Sequence, residues 1–515
     1  MSLFAKKKDA SDKKSPGREY RLLMLTTLII SGCSMVYELI ISAVSSYLAG
    51  DSTLQYSVTI GLYMFALGLG SFLSKFIKKD LWGWFARVEI GIGIIGGTCS
   101  LVLFLAHLYL TSYQIVMYLE ILSIGTLAGL EIPLLTRIIE EDRKELRVTL
   151  SSIFSFDYIG GLIGSVAFPM LLLPSFGYFA TCFLSGALNL TAATLIVFKY
   201  KSKLKDALVY RIIVVVLLCC MIFGMIFAEN IGSLIENGLY RDRVILSEQT
   251  EYQKIVLTKH KDDLRLYIDG NCQFSTMDEY RYHEALVHIP LAYAEKHENI
   301  LILGGGDGLA ARELLKYPDT KITLVDLDKG ITDLCSTEPQ ITSVNGNSLT
   351  NERVRVINND AYKFLENSKD RYDVIIVDLP DPNNVTLNKL YTNVFYRLCA
   401  NHLTKNGILN VQSTSPYYAK KAYWCINKTI ASEGLNVKGF HLQVPAFGDW
   451  GFNMACAGEL KKHHELPSDT RYITEENLPS MFLFGKDEKA DDVEINSLTK
   501  PVLIQYYNDA VREWG

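Results

Sequence analysis

Hydrophobic and polar positions follow two different rhythms, and the change comes near Asn230. Before it, apolar residues run almost unbroken through seven stretches: Leu22–Tyr47, Ser57–Phe76, Val88–Leu110, Gln114–Leu135, Ile153–Leu173, Phe179–Phe198 and Ile212–Ala228. Each predicts a helix able to cross a hydrocarbon layer about 30 Å thick. The spacings Gly125-x-x-x-Gly129 and Gly160-x-x-x-Gly164 suit close packing between such helices without naming a partner. After Asn230 the apolar runs are short and are cut by Gly, Asn, Asp and Pro, which predicts strands and short helices.

A polar hinge, Glu229–Arg243, leads into β-type segments at Val244–Leu246, Lys254–Leu257 and Leu264–Ile268. The Asp269-Gly270 turn then returns the chain to Gln273-Phe274, so a small antiparallel unit is expected. A helix follows from Asp278 through Glu284 toward Pro290. Ile300–Leu303 reads as a buried strand, Gly304-Gly305-Gly306-Asp307-Gly308 as a tight loop, and Leu309–Lys316 as a helix. A second strand, Lys321–Leu327, ends among Asp326 and Asp328. This order makes a βαβ nucleotide-binding opening, in which glycines admit a ligand to backbone N–H groups and the later acid can grip a ribose.

More units of the same kind follow. Strand Arg353–Ile357 precedes Asp360 and helix Ala361–Asn367, and strand Tyr372–Val377 precedes Asp378-Leu379-Pro380-Asp381-Pro382. Strand Ile408–Val411 precedes a helix through Tyr417–Glu433. Strands alternating with helices predict a parallel sheet with ligands at the carboxyl ends. Asp307, Asp326, Asp360 and Asp378 all fall at such ends, which makes single turn or N-cap roles a poor joint account.

Composition changes the picture in three places. The net charge of −5 gives no electrostatic basis for nucleic-acid binding. The ten cysteines include no CxxC pair and no metal-ligand spacing with histidine, which fits reduced thiols and no metal. Positive charge precedes the first span (Lys6–Lys8, Lys13, Lys14, Arg18, Arg21) and follows the second (Lys75, Lys78, Lys79), the fourth (Arg143, Lys144, Arg147) and the sixth (Lys199, Lys201, Lys203, Lys205). The positive-inside rule puts these segments in the cytoplasm, and seven crossings then leave everything after Ala228 outside. That conflicts with a cytosolic nucleotide-type ligand and with unpaired cysteines. Either the short last stretch fails to cross, or the count is in error, or the domain is external; a cytoplasmic domain is the reading taken.

Glu38, Glu89, Glu120, Glu131 and Asp157 lie within or near the ends of the spans with few basic partners. Such acids suit a cation path or an amine sensor, or they are protonated and bonded to Ser, Thr or Tyr. In the cleft, Asp307, Asp378 and Asp381, with Glu284 nearby, come without a serine or cysteine elbow. Carboxylates alone suit a cationic ligand and removal of a proton from an amine, which is protonated at neutral pH.

Three segments carry a family resemblance: Tyr267-Ile-Asp-Gly-Asn-Cys-Gln-Phe-Ser-Thr-Met-Asp-Glu-Tyr-Arg-Tyr-His-Glu284, Leu303-Gly-Gly-Gly-Asp-Gly308 and Asp378-Leu-Pro-Asp-Pro382. Together they resemble the spermidine synthase (polyamine aminopropyltransferase) family, over about Glu248 to Gly458. The apolar lead, with Val493-Glu-Ile-Asn-Ser-Leu and Gln505-Tyr-Tyr, resembles its membrane-anchored bacterial branch. The resemblance implies transfer of a propylamine group from decarboxylated S-adenosylmethionine, a co-substrate rather than a cofactor. The acceptor is putrescine or a related amine, and the products are spermidine and methylthioadenosine. It implies donor contacts by Gln253, Asp307, Asp326 (ribose), Asp360 and Ala361 (adenine). It implies polyamine contacts by His283, Asp307, Asp378 and Asp381, with Asp378 the proton acceptor. A homodimer or homo-oligomer is also implied.

Three departures from the family pattern stand out. Asp326 replaces the usual Glu, Asn383-Asn384-Val385 replaces a Gly-Pro segment, and Pro445-Ala446-Phe447-Gly448-Asp449-Trp450-Gly451 replaces Pro-Thr-Tyr-Pro-Ser-Gly. The acceptor side is therefore the altered one.

The expected fold is an N-terminal α-helical transmembrane bundle plus an α/β Rossmann-like, methyltransferase-type domain preceded by a small antiparallel β unit. Its parts are a basic cytoplasmic lead (1–21), a multi-pass membrane bundle (22–228), a linker (229–243), the β unit (244–290), the nucleotide-binding domain (291–460) and a C-terminal extension (461–515). The expected partners are a polyamine, decarboxylated S-adenosylmethionine and a lipid bilayer. Two rival readings are a methyltransferase on the same fold, and a polyamine transporter or sensor whose soluble domain binds without turnover. Asp307 argues against the methyltransferase, because its charge would repel the carboxylate of ordinary S-adenosylmethionine.

Overall fold

The structure is a computed structural model, and it describes residues 18–49, 52–143 and 146–514. The basic lead before Arg18 and Lys144 lie outside the described residues. The chain divides into two compact units, residues 1–239 and 240–515.

The first unit is helical: α1 (Arg18–Ala49), α2 (Ser52–Leu73), α3 (Leu81–Tyr109), α4 (Tyr113–Arg143), α5 (Leu146–Ala167), α6 (Leu173–Lys199), α7 (Ala207–Ile226) and α8 (Ala228–Leu239). Among the described residues, six helical segments are long and apolar enough to cross a membrane. The count of seven differs because α5 and α6 run together as Arg147–Lys199 through a π-helical turn, Phe168–Leu172. Gly177 (φ 68°, ψ −173°) breaks the helical backbone within this segment, with α5 packed mainly on α1 and α6 on α3.

Backbone-to-backbone approach explains the glycine spacings. A Cβ on Gly160 would stand 2.2 Å from the Leu28 carbonyl oxygen of α1, and one on Gly129 2.2 Å from that of Leu67 in α2. Arg137 closes the end of α2 by donating to the Ile77 and Ser74 carbonyls at 2.7 and 2.9 Å. The expected hinge after Ala228 is instead helical. Ile231, Ile235 and Leu239 fall on one stripe of α8 and pack on the bundle core, which outweighs the polar composition between them.

The second unit begins with a four-stranded antiparallel meander, β1 (Arg243–Gln249), β2 (Lys254–His260), β3 (Asp263–Ile268) and β4 (Asn271–Ser275). Asp269 (φ 47°) and Gly270 (φ 80°) make the tight turn between β3 and β4. Helix α9 (Glu279–Tyr293) is buried along its length and packs against the larger sheet. The small unit therefore ends near Ser275 rather than at Pro290, which α9 accommodates inside its last turn.

The core then alternates β5 (Asn299–Gly304), α10 (Leu309–Leu314), β6 (Lys321–Asp326), α11 (Lys329–Thr337), α12 (Pro339–Asn345), β7 (Val354–Asn358), α13 (Ala361–Asn367), β8 (Tyr372–Asp378), α14 (Val385–Asn388), α15 (Asn393–Asn401), β9 (Leu403–Gln412) and α16 (Lys420–Ala431). A hairpin, β10 (Asn436–Val444) and β11 (Gly448–Cys456), and a last helix, α17 (Val502–Trp514), complete the unit. Strand order is β10-β11-β9-β8-β5-β6-β7, parallel from β9 to β7. The hairpin is an antiparallel addition that a purely parallel expectation misses. Its alternation is legible afterwards: Phe440, Leu442 and Val444 on β10 are buried, two apart.

The chain runs β5, β6, β7 to one side, then returns to β8 on the other side of β5. Crevices open where such a sheet reverses direction.

Candidate active site

The reversal sets Gly304, the last residue of β5, directly opposite Asp378, the last residue of β8. Contact is so close that a Cβ on Gly304 would meet the Asp378 carbonyl oxygen at 2.0 Å. Gly305 donates to that oxygen at 3.2 Å. The glycine loop therefore lies against Asp378, and only residues without side chains fit there.

Asp378 receives a hydrogen bond from the Tyr282 hydroxyl at 2.5 Å. Burial and the neighbouring charge of Asp307 push its pKa up to about 6, against the opposing pull of His283 and Tyr282. Asp307 is half-buried and caps its own loop, accepting from the Leu309 N–H at 2.9 Å. His283, on α9, is 2 % exposed, and its Nδ1 bonds Glu279 Oε2 at 3.0 Å. Burial disfavours its charge, but the Glu279 bond and the charges of Asp307, Glu279 and Asp378 lift its pKa to about 9. Arg312 braces Glu279 with two bonds of 2.9 Å, and against burial His283 and Arg312 bring that carboxyl down to about 2. A chain of alternating charge thus runs Arg312, Glu279, His283 and into the acids.

Asp326 ends β6 and accepts from Gly306 N–H (3.0 Å) and Asp328 N–H (2.9 Å). Burial, with the charges of Asp328 and Asp307, raises it to about 6. The β1–β2 turn reaches the same place. Thr250 donates to Asp328 at 2.7 Å, and its side chain would lie 2.4 Å from a Cβ on Gly330, which brings half-buried Gln253 to this edge. Asp360 caps α13, accepting from Tyr362 and Lys363, and its other oxygen binds Lys389 Nζ at 2.6 Å. Burial opposes its ionisation, but the Lys389 bond leaves its pKa lowered. Ala361 is buried beside it.

Asp381 is held by Gln412 at 3.0 Å and by Thr414 at 3.4 Å. Burial raises its pKa in spite of these donors. The loop carrying it is fixed by Tyr391, whose hydroxyl donates to the Leu379 and Pro380 carbonyls at 3.2 and 3.0 Å.

Glu284 corrects the expectation from sequence. It is 1 % exposed, and its oxygens accept the N–H groups of Arg471, Tyr472 and Ile473 at 2.5, 2.9 and 3.1 Å. One residue past His283 on a helix, it faces away from the cleft and anchors the C-terminal extension.

Tyr282, Glu279, Arg312, Gln412 and Thr414 were given no role from the sequence. Gln412 and Thr414 follow strand β9 at its carboxyl end, the position that flagged the aspartates, so the same rule applied to uncharged residues finds them.

A grouping of His441, Asp449 and Glu488 brings ligand-capable atoms within 4.8 Å of one another. Both imidazole nitrogens are already bonded, to Asp449 and to the Leu483 carbonyl, so it pins the C-terminal segment to the hairpin. In the bundle, Glu38, Glu89, Glu120 and Glu131 are buried and Asp157 is half-buried. Asn189 approaches Glu89 at 3.4 Å, while Glu89 Oε1, Glu120 Oε2 and Glu131 Oε1 have no hydrogen-bond partner among the described residues.

Comparison with known proteins adds four findings. The spermine/spermidine synthase domain model matches residues 279–466. A polyamine aminopropyltransferase of Leptospira interrogans is 40 % identical over 494 residues, covering 96 % of this chain and 98 % of that protein. One of Oceanobacillus iheyensis is 41 % identical over 501 residues, covering 96 % and 98 %. A crystal structure of spermidine synthase from Thermotoga maritima aligns with a TM-score of 0.44 at 23 % identity, covering 47 % of this chain and 84 % of that one.

Proposed function

This chain belongs to the polyamine aminopropyltransferase family, and from that premise we propose how its cleft works and where it works. The chain is a transferase that moves the propylamine group of decarboxylated S-adenosylmethionine to putrescine or a related amine. In this reading Asp378 takes the proton from the acceptor amine. The freed nitrogen lone pair attacks the propyl carbon next to the sulfonium. The carbon–sulfur bond breaks toward sulfur, leaving neutral methylthioadenosine and an extended polyamine. The observation that carries the assignment is the place of Asp378, at a strand end pressed against the glycine loop and bonded by Tyr282, where burial pushes its pKa up to about 6. A base of that strength stays ionised at neutral pH and still accepts a proton.

Asp307 attracts the donor's ammonium and would repel the carboxylate of ordinary S-adenosylmethionine, which supports aminopropyl over methyl transfer. His283 carries charge at neutral pH, so it can donate only to an amine that has lost its proton, while it partly neutralises Asp307 and Asp378. Asp326 and Gln253 are assigned to the ribose end of the donor, and Asp360 with Ala361 to adenine, a role that requires Asp360 to share its carboxylate with Lys389. Asp381 is assigned to the far ammonium of the acceptor.

The apolar helices are proposed to cross the bilayer, with the enzyme unit on the cytoplasmic side, where its free Cys335, Cys399, Cys425 and Cys456 would stay reduced. A fluorescent-protein fusion after Gly515 that glows, paired with an inactive alkaline phosphatase fusion at the same point, supports this. The reverse pattern places the unit outside.

The catalytic assignment is tested by incubating purified full-length protein with decarboxylated S-adenosylmethionine and a panel of diamines, following products by mass spectrometry. Methylthioadenosine and a new polyamine should form together and be lost in Asp378→Asn. An Asp378→Asn variant that keeps wild-type turnover removes the proton-acceptor role.

A further inference from the structure

Helix α1 of the first unit carries a polar stripe. Thr27, Ser31, Ser34, Glu38, Ser42 and Ser45 recur at three- and four-residue steps, and all are buried. At 1.5 Å per residue the stripe runs for about 27 Å, close to the thickness of a hydrocarbon layer. It faces other helices. Ser31 donates to the Asp157 carbonyl of α5 at 2.6 Å, Ser34 meets the Tyr63 hydroxyl of α2 at 2.5 Å, and Ser45 reaches the Met117 sulfur of α4. Those helices add acceptors that nothing fills. Glu120 and Glu131 lie at helical spacing from Met117, both buried, and each has one carboxylate oxygen without a hydrogen-bond partner among the described residues. Thr59, one turn from Tyr63 on α2, is fully buried, and its hydroxyl has no such partner either. Between Leu22 and Leu73 the sequence has no Lys or Arg. Among the described residues no ion pair involves Glu38, Glu120, Glu131 or Asp157.

Hydroxyls in such helices often bond back to their own backbone, as Thr27 does to the Leu23 carbonyl and Ser42 to that of Glu38. That uses their hydrogens and leaves their lone pairs as acceptors. It does not account for four acids without a countercharge. Strung along a line, these acceptors do not suit a metal ion. The group of convergent ligand atoms found among the described residues is His441, Asp449 and Glu488, in the second unit. A long, flexible cation with several N–H groups does suit them. We propose that the helical unit is a path for linear polyamines across the bilayer, lined by the stripe of α1 and by Glu131 and Asp157. The step is transport, with no bond made or broken. It goes beyond the transferase reading and takes from it only the bilayer crossing of these helices. Glu38, midway along the stripe, supplies its one carboxyl, and the hydroxyl oxygens on either side replace the water that an ammonium gives up.

The test reconstitutes full-length protein into phosphatidylethanolamine–phosphatidylglycerol vesicles and follows radiolabelled spermidine under an inside-negative potassium–valinomycin potential. Uptake should exceed that of protein-free vesicles. It should fall roughly tenfold or more in Glu38→Gln, the loss of one charge-assisted contact. Asp157→Asn should lower it too. Glu38→Asp, which keeps the carboxylate, should retain more uptake than Glu38→Gln. Propylamine transfer by the same preparations should be unchanged in each variant. Wild-type uptake at the protein-free level overturns the inference, as does uptake undiminished in both Glu38→Gln and Asp157→Asn. Equal loss in Glu38→Asp and Glu38→Gln also overturns it, since packing and not charge is then at issue. So does labelled rubidium entering as fast as spermidine, the mark of an unselective path. Protein that alkaline carbonate strips from the vesicles does not cross the bilayer, and the inference falls with that placement. If the protein extends no amine, the transferase reading falls, and uptake is scored apart from it.

Discussion

In the helical bundle, Glu89 and Glu131 are buried with an oxygen each that no described donor reaches, whereas Asp378 and Asp326 in the cleft sit among donors placed for them. Both regions take carboxylates out of water. Only the cleft adds a countercharge, His283, itself braced by Glu279 and Arg312. Burial by itself makes a carboxylate costly, and it neutralises unless something nearby favours its charge. The cleft balances burial against donors, which leaves Asp378 near 6, still ionised at neutral pH and basic enough to act. The bundle acids lack that balance, so nothing in their surroundings ties them to the transfer reaction.

The contrast can be broken most sharply at Asp378. Asp378→Asn should lower turnover by roughly 10²- to 10⁴-fold, the usual worth of a positioned base, with donor binding retained in equilibrium dialysis. Next in size is the brace. Arg312→Ala leaves Glu279 buried without its bidentate partner and should cost about 3 kcal/mol of stability in chemical denaturation of the second unit. The double change Arg312→Met with Glu279→Gln should cost less than Arg312→Ala alone, because Glu279 no longer strands a buried charge, His283 can give up its proton, and Glu313 keeps His288 and Lys316. If it costs more, the pair is a net stabiliser and the balance is misread.

pH tests the same contrast. The carboxylate of Asp378 is lost below about 6, so kcat/KM should fall about tenfold per pH unit on that side. Its stability effect has the opposite sign. An acid raised from 3.8 to about 6 on folding stabilises the fold fully below 3.8 and loses that contribution as pH rises through 6. Asp378→Asn should therefore gain about 1–2 kcal/mol at pH 8, after allowance for screening at a partly open cleft, and nothing at pH 4. Glu279, held near 2, runs the other way: its stabilisation is present above about 4.5 and fades only toward pH 2. The smallest effect belongs to the bundle. Glu131→Gln should leave turnover within about twofold, and a large loss there would tie the bundle acids to catalysis.

The strand-end acids were legible because their signal is local. A short apolar run followed by a breaker and an Asp says where a strand stops, and a parallel sheet gathers those stops at one edge. Asp307, Asp326 and Asp378 meet for that reason. Glu284 was misplaced because its neighbour His283 does face the cleft, and adjacent residues on a helix point about 100° apart. Helix α8 was missed because three apolar residues at helical spacing outweigh a polar majority only when a core is there to receive them. The antiparallel pairing of the β10–β11 hairpin on β9 depends on contacts between distant segments, which no window of the sequence contains.

Periodicity, breakers and charge therefore settled from the sequence alone that a helical, apolar half precedes an α/β half, and which carboxylates end the strands. Tertiary structure decided the rest. The return of the chain from β7 to β8 put Gly304 against Asp378, and a charged chain from Arg312 to His283 set the strength of the acids. The folding-back of residues 461–514 brought Asn496 to Asn388 and to Tyr391, which holds the loop of Asp381. The reason is physical: side-chain direction and element type follow from neighbours along the chain, but a pKa and a pocket wall follow from what packing brings within a few ångströms.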